Sequence, residues 1–231
     1  FGTVMETMAN RYGIPTIDLG VEVARRERDG TLVFKGNAPT AGKLVFSADG
    51  VHPGDAGHDL YRDIVARSLL AMRDVGQPAE HALGTPLHPR CWETATLLPV
   101  GNAAVSPGWT PVDAAADAVY NDDPGRTKAM LRGALKCDRV GESLTVKWNG
   151  TTVGLSDIPH AGPMVIEALI DGTTTVTLKR VQTEAIHRYA RFCYLPEQAP
   201  GEHTVRFTVK ELPAGAAFYA GQFLIVGTPG R

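Results

Sequence analysis

Cysteine is scarce in this sequence, and its scarcity excludes a fold held together by a disulfide framework. Cys91, Cys137 and Cys193 are widely spaced over 231 residues, so at most one disulfide can form and one thiol must remain unpaired within the chain. No group of cysteine and histidine residues has the spacing of a zinc site. We therefore expect the cysteines to be small buried apolar residues rather than a structural framework.

Long apolar runs and an excess of one charge are also missing. No stretch approaches the roughly 18 consecutive apolar residues of a membrane-spanning helix. The 23 Lys and Arg residues nearly balance the 25 Asp and Glu residues, which gives a formal net charge of -2 and a pI near 6.4. This balance gives no electrostatic reason to expect nucleic acid or an anionic membrane as a partner.

The remaining composition is that of an ordinary globular protein with more than one domain. Hydrophobic residues make up 43% and charged residues 21% of the chain, and a length of 231 residues predicts two domains. Glycine and proline cluster where helical periodicity ends, which indicates a linker. We predict an α/β domain over 1–75, a linker over 76–90 and an all-β domain over 91–231.

The segment Asp49–His58 carries the strongest chemical signal in the chain. It reads Asp-Gly-Val-His-Pro-Gly-Asp-Ala-Gly-His, so the carboxylate of Asp49 precedes the imidazole of His52 by three positions at a tight turn. There Asp49 can accept a hydrogen bond from one ring nitrogen of His52, which leaves the other nitrogen free to take a proton from a nucleophile. Taken alone, the spacing also fits a solvated Asp-Gly turn with an uninvolved histidine.

Helical patterns lie on both sides of this segment. Apolar residues recur at helical spacing over 59–73, which predicts a long amphipathic helix after the turn. Before the turn, 5–12 reads as the end of a helix, 13–19 as a short buried strand and 21–28 as a charged surface helix. Asp18 is predicted to cap that charged helix. The turn therefore lies on a loop ahead of a helix.

This combination resembles the last conserved block of the SGNH (GDSL-type) ester hydrolases. The shared features are Asp-Gly-Val-His-Pro, three residues, Gly-His and a long helix, reached through helix, strand and helix. The resemblance covers about residues 1–75 and implies the closing elements of a flavodoxin-like α/β/α domain. It also implies that Asp49 and His52 are two members of a Ser-Asp-His triad, which needs no metal or organic cofactor.

The earlier blocks of that family cannot be found in the chain. The resemblance implies a nucleophilic serine in a Gly-Asp-Ser motif near the start of the domain, with a glycine and an asparagine further on that help to build the oxyanion hole. The only downstream candidates for these missing motifs are Gly154–Asp157 and Asn121–Asp123. The first lies inside a β-rich stretch and the second is followed by Pro-Gly, so both are predicted to be turns. We interpret the chain, which opens at Phe1 within a predicted helix, as a carboxy-terminal fragment without the nucleophile and expect it to be inactive alone.

Beyond the linker, short β-rich runs bounded by Gly, Pro, Asn and Asp predict an all-β domain. Asn149-Gly150 stands between two of these runs and is a strong hairpin signal, whereas the run over 129–137 is ambiguous. The other predicted strands cover 92–100, 143–148, 151–155, 164–170, 174–181, 187–194, 203–209 and 218–226. Many short strands at short intervals favour a β-sandwich.

Three phrases of this region resemble the jelly-roll, galactose-binding-like modules attached to some carbohydrate-active esterases. They are Glu142–Leu155, Glu167–Gly172 and Gly201–Val209, in that order. The resemblance spans about 130–228 and implies a jelly-roll sandwich. Alternating strands and Asp-Gly or Asn-Gly turns occur in unrelated β-sandwiches for structural reasons, which leaves an unrelated sandwich as the alternative.

Tryptophans of the predicted β domain are candidates for stacking on a sugar ring. Trp148 alternates in phase with Leu144 and Val146, which favours the core, and a core role is also open for Trp92. Trp109 lies between glycine and proline and is the best candidate for exposure. We expect the histidines of this region, His160, His187 and His203, to be satisfied surface residues, and we assign no sugar-binding residue.

Two functions follow from these patterns. The leading hypothesis is a serine ester hydrolase, a carbohydrate or short-acyl esterase, with His52 as general base and Asp49 as its partner. The alternative is a non-catalytic protein whose β domain binds glycan or another partner. By the resemblance, a polysaccharide substrate favours a secreted or periplasmic location. The sequence carries no signal for a particular oligomeric state.

Overall fold

A computed structural model describes residues 2–37, 42–75, 84–88, 90–182 and 187–230. The chain divides into two compact units, Phe1–Pro89 and Arg90–Arg231. The first contains helices and a small parallel sheet, and the second is mainly antiparallel sheet, so the predicted β character of the second part is confirmed. Of the predicted linker over 76–90, positions 76–83 and 89 lie outside the described residues.

The first unit runs helix, helix, strand, strand, helix. Its elements are α1 (Gly2–Tyr12), α2 (Leu19–Arg28), β1 (Leu32–Lys35), β2 (Leu44–Ser47) and α3 (Asp55–Met72). β1 and β2 pair in parallel. Leu60 and Ile64 of α3 pack with Val23 of α2 and with Leu32 and Phe46 of the strands. The helices predicted around 5–12, 21–28 and 59–73 are confirmed, although Leu69 and Leu70 of α3 are exposed.

The strand predicted over 13–19 is wrong. Residues 14–18 connect α1 to α2 without strand pairing, and Ile14 is 54% exposed. Pro15 has no N–H to donate to a ladder. The capping role of Asp18 is confirmed, since its Oδ1 accepts hydrogen bonds from the backbone N–H groups of Gly20 at 2.8 Å and Val21 at 3.3 Å. The sheet is formed instead by β1 and β2, which the sequence patterns did not predict.

The second unit is built around one extensive antiparallel sheet. Its elements are β3 (Ala95–Pro99), a 3-10 turn (Val100–Asn102), β4 (Ala104–Val105), β5 (Thr110–Pro111), α4 (Pro124–Thr127), β6 (Leu135–Cys137), β7 (Ser143–Asp157), β8 (Val165–Ile170), β9 (Thr174–Lys179), β10 (Arg191–Tyr194), β11 (Gly201–Glu211) and β12 (Phe218–Pro229). The main strand order is β5-β6-β12-β7-β11-β8-β9, with β3, β4 and β10 paired beside it. Trp148, Phe207 and Phe223 lie in its larger core cluster.

The hairpin predicted at Asn149-Gly150 is wrong, because β7 continues through both residues. A Cβ on Gly150 would lie 2.0 Å from the carbonyl oxygen of Val226. The register of β12 shifts at this point, between Val226 and Gly227. The dipeptide thus marks a close approach of two backbones at an irregularity of the ladder, a role that also selects glycine.

The turn predicted at Gly154–Asp157 is also wrong, since these residues form the buried end of β7. A Cβ on Gly154 would lie 2.6 Å from the ring of Tyr194, so glycine is needed where that ring covers the strand. The Asp157 carboxylate is fully buried and binds the Arg180 guanidinium through two hydrogen bonds of 2.6 and 2.7 Å. This charge-assisted pair satisfies an acidic residue inside the sheet.

Other predictions for the second unit had mixed outcomes. Asn121–Asp123 lie in a turn or bend, as predicted, and the ambiguous run over 129–137 contributes just the short strand β6. Cys137 and Cys193 are buried as expected, but Cys91 is exposed, and all three are free thiols.

Candidate active site

The loop between β2 and α3 holds both predicted catalytic residues. Gly50 has a φ of +83°, a left-handed conformation that favours glycine. Pro53 forms an isolated antiparallel bridge with Ser47, and the backbone N–H of Gly54 donates to the carbonyl of Phe46 at 2.8 Å. These contacts fold the loop back onto the end of β2, directly before α3.

Asp49 and His52 are brought together by this loop. The distance between Asp49 Oδ2 and His52 Nδ1 is 2.7 Å. Oδ1 of Asp49 accepts hydrogen bonds from the backbone N–H groups of Val51 and His52, each at 2.8 Å. One carboxylate oxygen therefore anchors the turn, and the other holds the imidazole.

Ser47 supports this carboxylate, although no sequence pattern singled it out. Its side chain is buried at the end of β2. The hydroxyl donates to Asp49 Oδ1 at 3.0 Å and accepts from the backbone N–H of Gly50 at 2.8 Å. Serine is common in turns, so its presence in the sequence gives no signal. Its contact with the Asp49 carboxylate is seen only in the folded loop.

Hydrogen bonding keeps Asp49 ionised. The bond from the His52 ring, followed by those from the backbone N–H groups of His52 and Val51, lowers the pKa of Asp49 far below its ordinary value. An ionised carboxylate can accept hydrogen bonds but not donate them, so Nδ1 of His52 must carry the proton in this pair. Asp49 thereby selects the tautomer of the neutral imidazole.

The opposite nitrogen of His52 is available for chemistry. The His52 side chain is 83% exposed and that of Asp49 is 54% exposed. Within the described ranges, Nε2 of His52 has no hydrogen-bond partner from the protein. A cleft lined in part by Val45, Ser47 and Gly54 borders the loop. The arrangement can take a proton from a donor that approaches Nε2.

Neighbouring polar residues are not part of this pair. Asp55 opens α3, whose N-cap Gly54 makes no side-chain capping bond. His58 is exposed in the first turn of α3, and its backbone N–H donates to the Gly54 carbonyl at 2.8 Å. Among the hydrogen bonds of the described residues, the His58 ring takes part in none, so His58 provides a matched control for His52.

The tryptophans of the second unit differ in how far they are exposed to solvent. Trp148 is buried, as expected. Trp109, the best candidate for exposure, is also buried, at 8% exposed, and packs edge-on against Phe218 with ring centroids 6.0 Å apart. Trp92 is the exposed one, at 45%. Its ring lies 5.0 Å from that of Tyr194, which stacks at 5.9 Å on Phe192. Sequence reasoning did not identify these last two rings.

The histidines of the second unit all make polar contacts. His187 is exposed and lies 3.3 Å from Asp122. His203 is not a surface residue, because its side chain is 13% exposed. Its Nδ1 lies 2.7 Å from Asp171 Oδ2 and its Nε2 lies 2.8 Å from the Ala199 carbonyl. His160 accepts a hydrogen bond at Nδ1 from the backbone N–H of Gly162 at 2.8 Å and borders a cavity of the second unit.

Two kinds of feature are absent from the described ranges, namely a membrane-spanning helix and a cluster of metal-ligating side chains. None of the helices there combines the length and apolar character needed to cross a bilayer. In the same ranges, no group of three or more His, Cys, Asp or Glu side chains is arranged to hold a metal ion.

Comparison with known proteins identifies a shared fold. No family model matches the sequence, and no curated protein is significantly similar to it. The crystal structure of a two-domain esterase active on acetylated mannans matches with a TM-score of 0.65 and 19% identity, over 98% of this chain and 58% of that chain. A two-domain esterase of the same description, co-crystallised with mannopentaose, matches with a TM-score of 0.58 and 18% identity, over 80% of this chain and 49% of that chain. The chain thus spans about half the length of these esterases and shares their fold over that span.

Proposed function

We propose that this chain supplies the general base and its carboxylate partner to an SGNH-type serine esterase that acts on acylated carbohydrate. The observation that carries the proposal is the 2.7 Å contact between Asp49 Oδ2 and His52 Nδ1, with Nε2 of His52 left open. In this mechanism Nε2 takes the proton of the serine hydroxyl as the oxygen attacks the acyl carbon. It then returns the proton to the leaving alcohol, while Asp49 stabilises the imidazolium.

The fold supports this assignment. A two-domain esterase matches 98% of the chain, so both units have counterparts in a protein of that activity. In our proposal the first unit is the carboxy-terminal portion of a flavodoxin-like α/β/α SGNH domain over 1–75. Residues 76–90 then form the linker, and 91–231 form an accessory β-sandwich.

The proposed nucleophile is a serine outside the 231 residues of this chain. Ser47 is the hydroxyl nearest the pair in sequence, but it is buried and donates to Asp49. Its role is therefore to hold the carboxylate. We expect the chain alone to be inactive, since a base without a nucleophile and oxyanion donors has no acyl group to transfer.

The proposed substrate is an ester of a carbohydrate with a short acyl group. The esterase of similar fold acts on acetylated mannans, so acetylated mannan is the first substrate to test. A polysaccharide substrate would place the enzyme outside the cytoplasm, in the periplasm or the medium. The proposed proton transfers use side chains of the protein and require no metal or organic cofactor.

An activity assay on the complete gene product tests the proposal. The protein encoded by the gene, including any residues that precede Phe1, is incubated with 4-nitrophenyl acetate and with acetylated mannan. We expect His52→Ala to lower kcat/KM by about 10²–10⁴-fold, the usual contribution of a general base, and the control His58→Ala to leave it unchanged. Full activity of His52→Ala would refute the role of His52.

The ring cluster formed by the exposed Trp92 and Tyr194 with the half-buried Phe192 favours a second function for the accessory unit, namely binding of glycan. Aromatic faces provide large apolar contact areas at low entropic cost. Affinity electrophoresis in gels containing mannan tests this function. Retardation that disappears in Trp92→Ala but persists in Trp109→Phe, a change at a buried ring, would support it. Migration of the wild-type chain unaffected by mannan would exclude it for this polymer.

A further inference from the structure

The second unit contains a polar cavity of about 490 Å³. Small-molecule sites commonly have volumes of about 300–1,000 Å³, so this one could accept a single sugar residue. Its polar lining combines positive charges, one carboxylate and neutral hydrogen-bonding groups. The charged and titratable lining residues are Lys136, Asp138, Arg139, His160, Arg188 and Tyr219.

Two of the three cations in the wall already have anionic partners. Lys136 Nζ lies 2.8 Å from Asp117 Oδ2, and the Asp117 side chain is 6% exposed. The hydroxyl of Tyr219 also donates to Asp117, at 3.0 Å. Arg139 pairs with the neighbouring Asp138 at 3.8 Å. These charges are balanced within the protein.

Arg188 is the exception. Its guanidinium donates to two backbone carbonyls, those of Pro159 at 3.0 Å and Ile158 at 3.3 Å, and makes no ion pair with any described residue. The nearby carboxylate of Asp122 is occupied by the backbone N–H of Arg188 at 2.6 Å and by the His187 ring. Nη1 of Arg188 has no hydrogen-bond partner in the described part of the chain. Burial, the largest influence, lowers the pKa of Arg188, while Tyr219, Asp122 and Asp117 act in the opposite direction.

Asp122 and Asp117 act on the charge of Arg188 without pairing with it directly. A partly buried cation that makes no direct ion pair is energetically unfavourable unless an anion compensates it. Arginine is well suited to this role, because its planar guanidinium matches the geometry of a carboxylate. The unpaired charge at the wall of a cavity therefore indicates an anionic ligand rather than a neutral one.

His160 adds a neutral donor to the same wall. Its Nδ1 accepts a hydrogen bond from the backbone N–H of Gly162 at 2.8 Å, so the ring proton resides on Nε2. Burial, assisted by the positive charge of Arg188, lowers the pKa of His160 and favours this neutral form. An N–H donor near a guanidinium suits a ligand that carries both a carboxylate and hydroxyl groups.

We propose that this cavity binds a hexuronic acid residue, with the carboxylate on Arg188 and ring hydroxyls on His160 and Asp138. Asp138 favours a sugar acid over inorganic phosphate, because its carboxylate can accept hydrogen bonds from the ring hydroxyls of the sugar, whereas phosphate would place a larger negative charge beside it. The cavity volume likewise exceeds what a free small carboxylate such as acetate would fill. The inference concerns the second unit alone and does not depend on the role of His52.

Calorimetric titration of the full chain with four probes tests the ligand class. Methyl β-D-glucuronoside is expected to bind saturably. Methyl β-D-glucoside should bind at least about tenfold more weakly, because it lacks the charged hydrogen bond to Arg188. Sodium acetate and inorganic phosphate should also bind at least about tenfold more weakly, because they lack the ring hydroxyls. Equal binding of the glucoside would refute the role of the carboxylate. Acetate or phosphate binding as tightly as the glucuronoside, or no saturable glucuronoside binding, would also overturn the proposal.

Variants locate the site. Arg188→Gln should weaken glucuronoside binding at least about tenfold, whereas Arg206→Gln, which removes an exposed arginine of β11 outside the cavity, should not change it. Because Arg188 also holds two carbonyls, His160→Ala provides a second test and should weaken binding without changing net charge at neutral pH. Amide NMR shifts on glucuronoside binding should concentrate at Gly108, Gly215 and Ala217 of the lining, and shifts confined to other regions would contradict the assignment.

Discussion

Asp49 shows how one residue can organise a catalytic loop. Its carboxylate accepts hydrogen bonds from four donors, namely the Ser47 hydroxyl, two backbone N–H groups and the His52 ring. Such bonding stabilises the charged form and lowers the pKa of Asp49. The same bonds fix the position of the imidazole, so orientation and tautomer of His52 depend on one side chain.

The tautomer of His52 is directly measurable. When the His52 imidazole is neutral, ¹⁵N NMR should show its ring proton on Nδ1 and none on Nε2. In Asp49→Leu, which removes the acceptor, the ring should revert to the mixture found in solvent-exposed histidines, for which His58 is the internal reference. A proton on Nε2 of His52 in the wild-type chain would contradict the assigned geometry.

His203 makes part of the stability of the second unit depend on pH. Burial disfavours its protonation, but hydrogen bonds to Asp171 and to the Ala199 carbonyl outweigh that effect and raise the pKa of His203. The contribution to stability is therefore complete below the unfolded-state value of about 6.5 and is lost as pH rises through the higher folded-state value.

Urea unfolding of the wild-type chain and of His203→Gln at several pH values from 5.5 to 9 measures this effect. The free energy of unfolding should differ most between the two proteins at the acidic end, and the difference should shrink as pH rises. Asp171→Asn should lose the same pH-dependent part. A difference that stays constant or grows with pH would show that the charged imidazole is not stabilising.

At the scale of elements, the catalytic loop depends on how closely α3 approaches β2. A Cβ on Gly57 would lie 2.6 Å from the Phe46 carbonyl and 2.9 Å from Pro53 Cβ. Gly54, three residues earlier, has room, since its Cβ would be 3.8 Å from the same carbonyl. The first turn of α3 can therefore pack on the end of β2 only because residue 57 has no side chain.

Gly57→Ala should displace this turn and the loop before it. We expect a loss of about 1–3 kcal/mol in the stability of the first unit, typical of overpacking. Gly54→Ala is the matched control and should lose less stability, about 1 kcal/mol or below, because alanine is a poorer N-cap than glycine but meets no close contact there. Chemical denaturation followed through the NMR signals of Val23 and Leu60, both in the first-unit core, reports on that unit separately. Equal stability of the two variants would contradict the close packing at Gly57.

The sequence predicted elements best where the governing contacts are local. The helix α3 and the Asp18 cap follow from spacing within a few residues, and Asp49 and His52 meet because they lie three positions apart in one turn. Ser47 was missed because its hydrogen bond to Asp49 forms only when the end of β2 and the following turn adopt their folded positions relative to each other. The continuous β7 was missed because the reason for Gly150 is the distant backbone of Val226, which no local pattern contains.

At the scale of the molecule, the two units differ in how much apolar surface they bury. Among the residues that the structure describes, the buried apolar cluster of α2, α3 and the two strands contains five, and Val21, Leu69 and Leu70 remain more than half exposed. The main cluster of the second unit contains twenty-one buried residues within 90–182 and 187–230. Since apolar burial is the main source of folding free energy, the second unit should be the more stable.

Limited proteolysis of the full chain tests this difference. A protease of broad specificity should cut first within residues 2–75 and leave a resistant product covering most of 91–230. Digestion in concentrated urea, where both units unfold, is the control for intrinsic cleavage preference. A resistant product that retained the first unit and lacked the second would reverse the expected order of stability.

Covalent labelling with a fluorophosphonate tests the catalytic role of the Asp49–His52 pair most directly, because the reagent reacts with a serine that an adjacent base has activated. In the complete gene product, we predict one labelled serine outside the residues of this chain, with labelling lost or greatly slowed in His52→Ala and unchanged in His58→Ala. Labelling of His52→Ala at the wild-type rate, or a labelled serine within residues 1–231, would contradict the account.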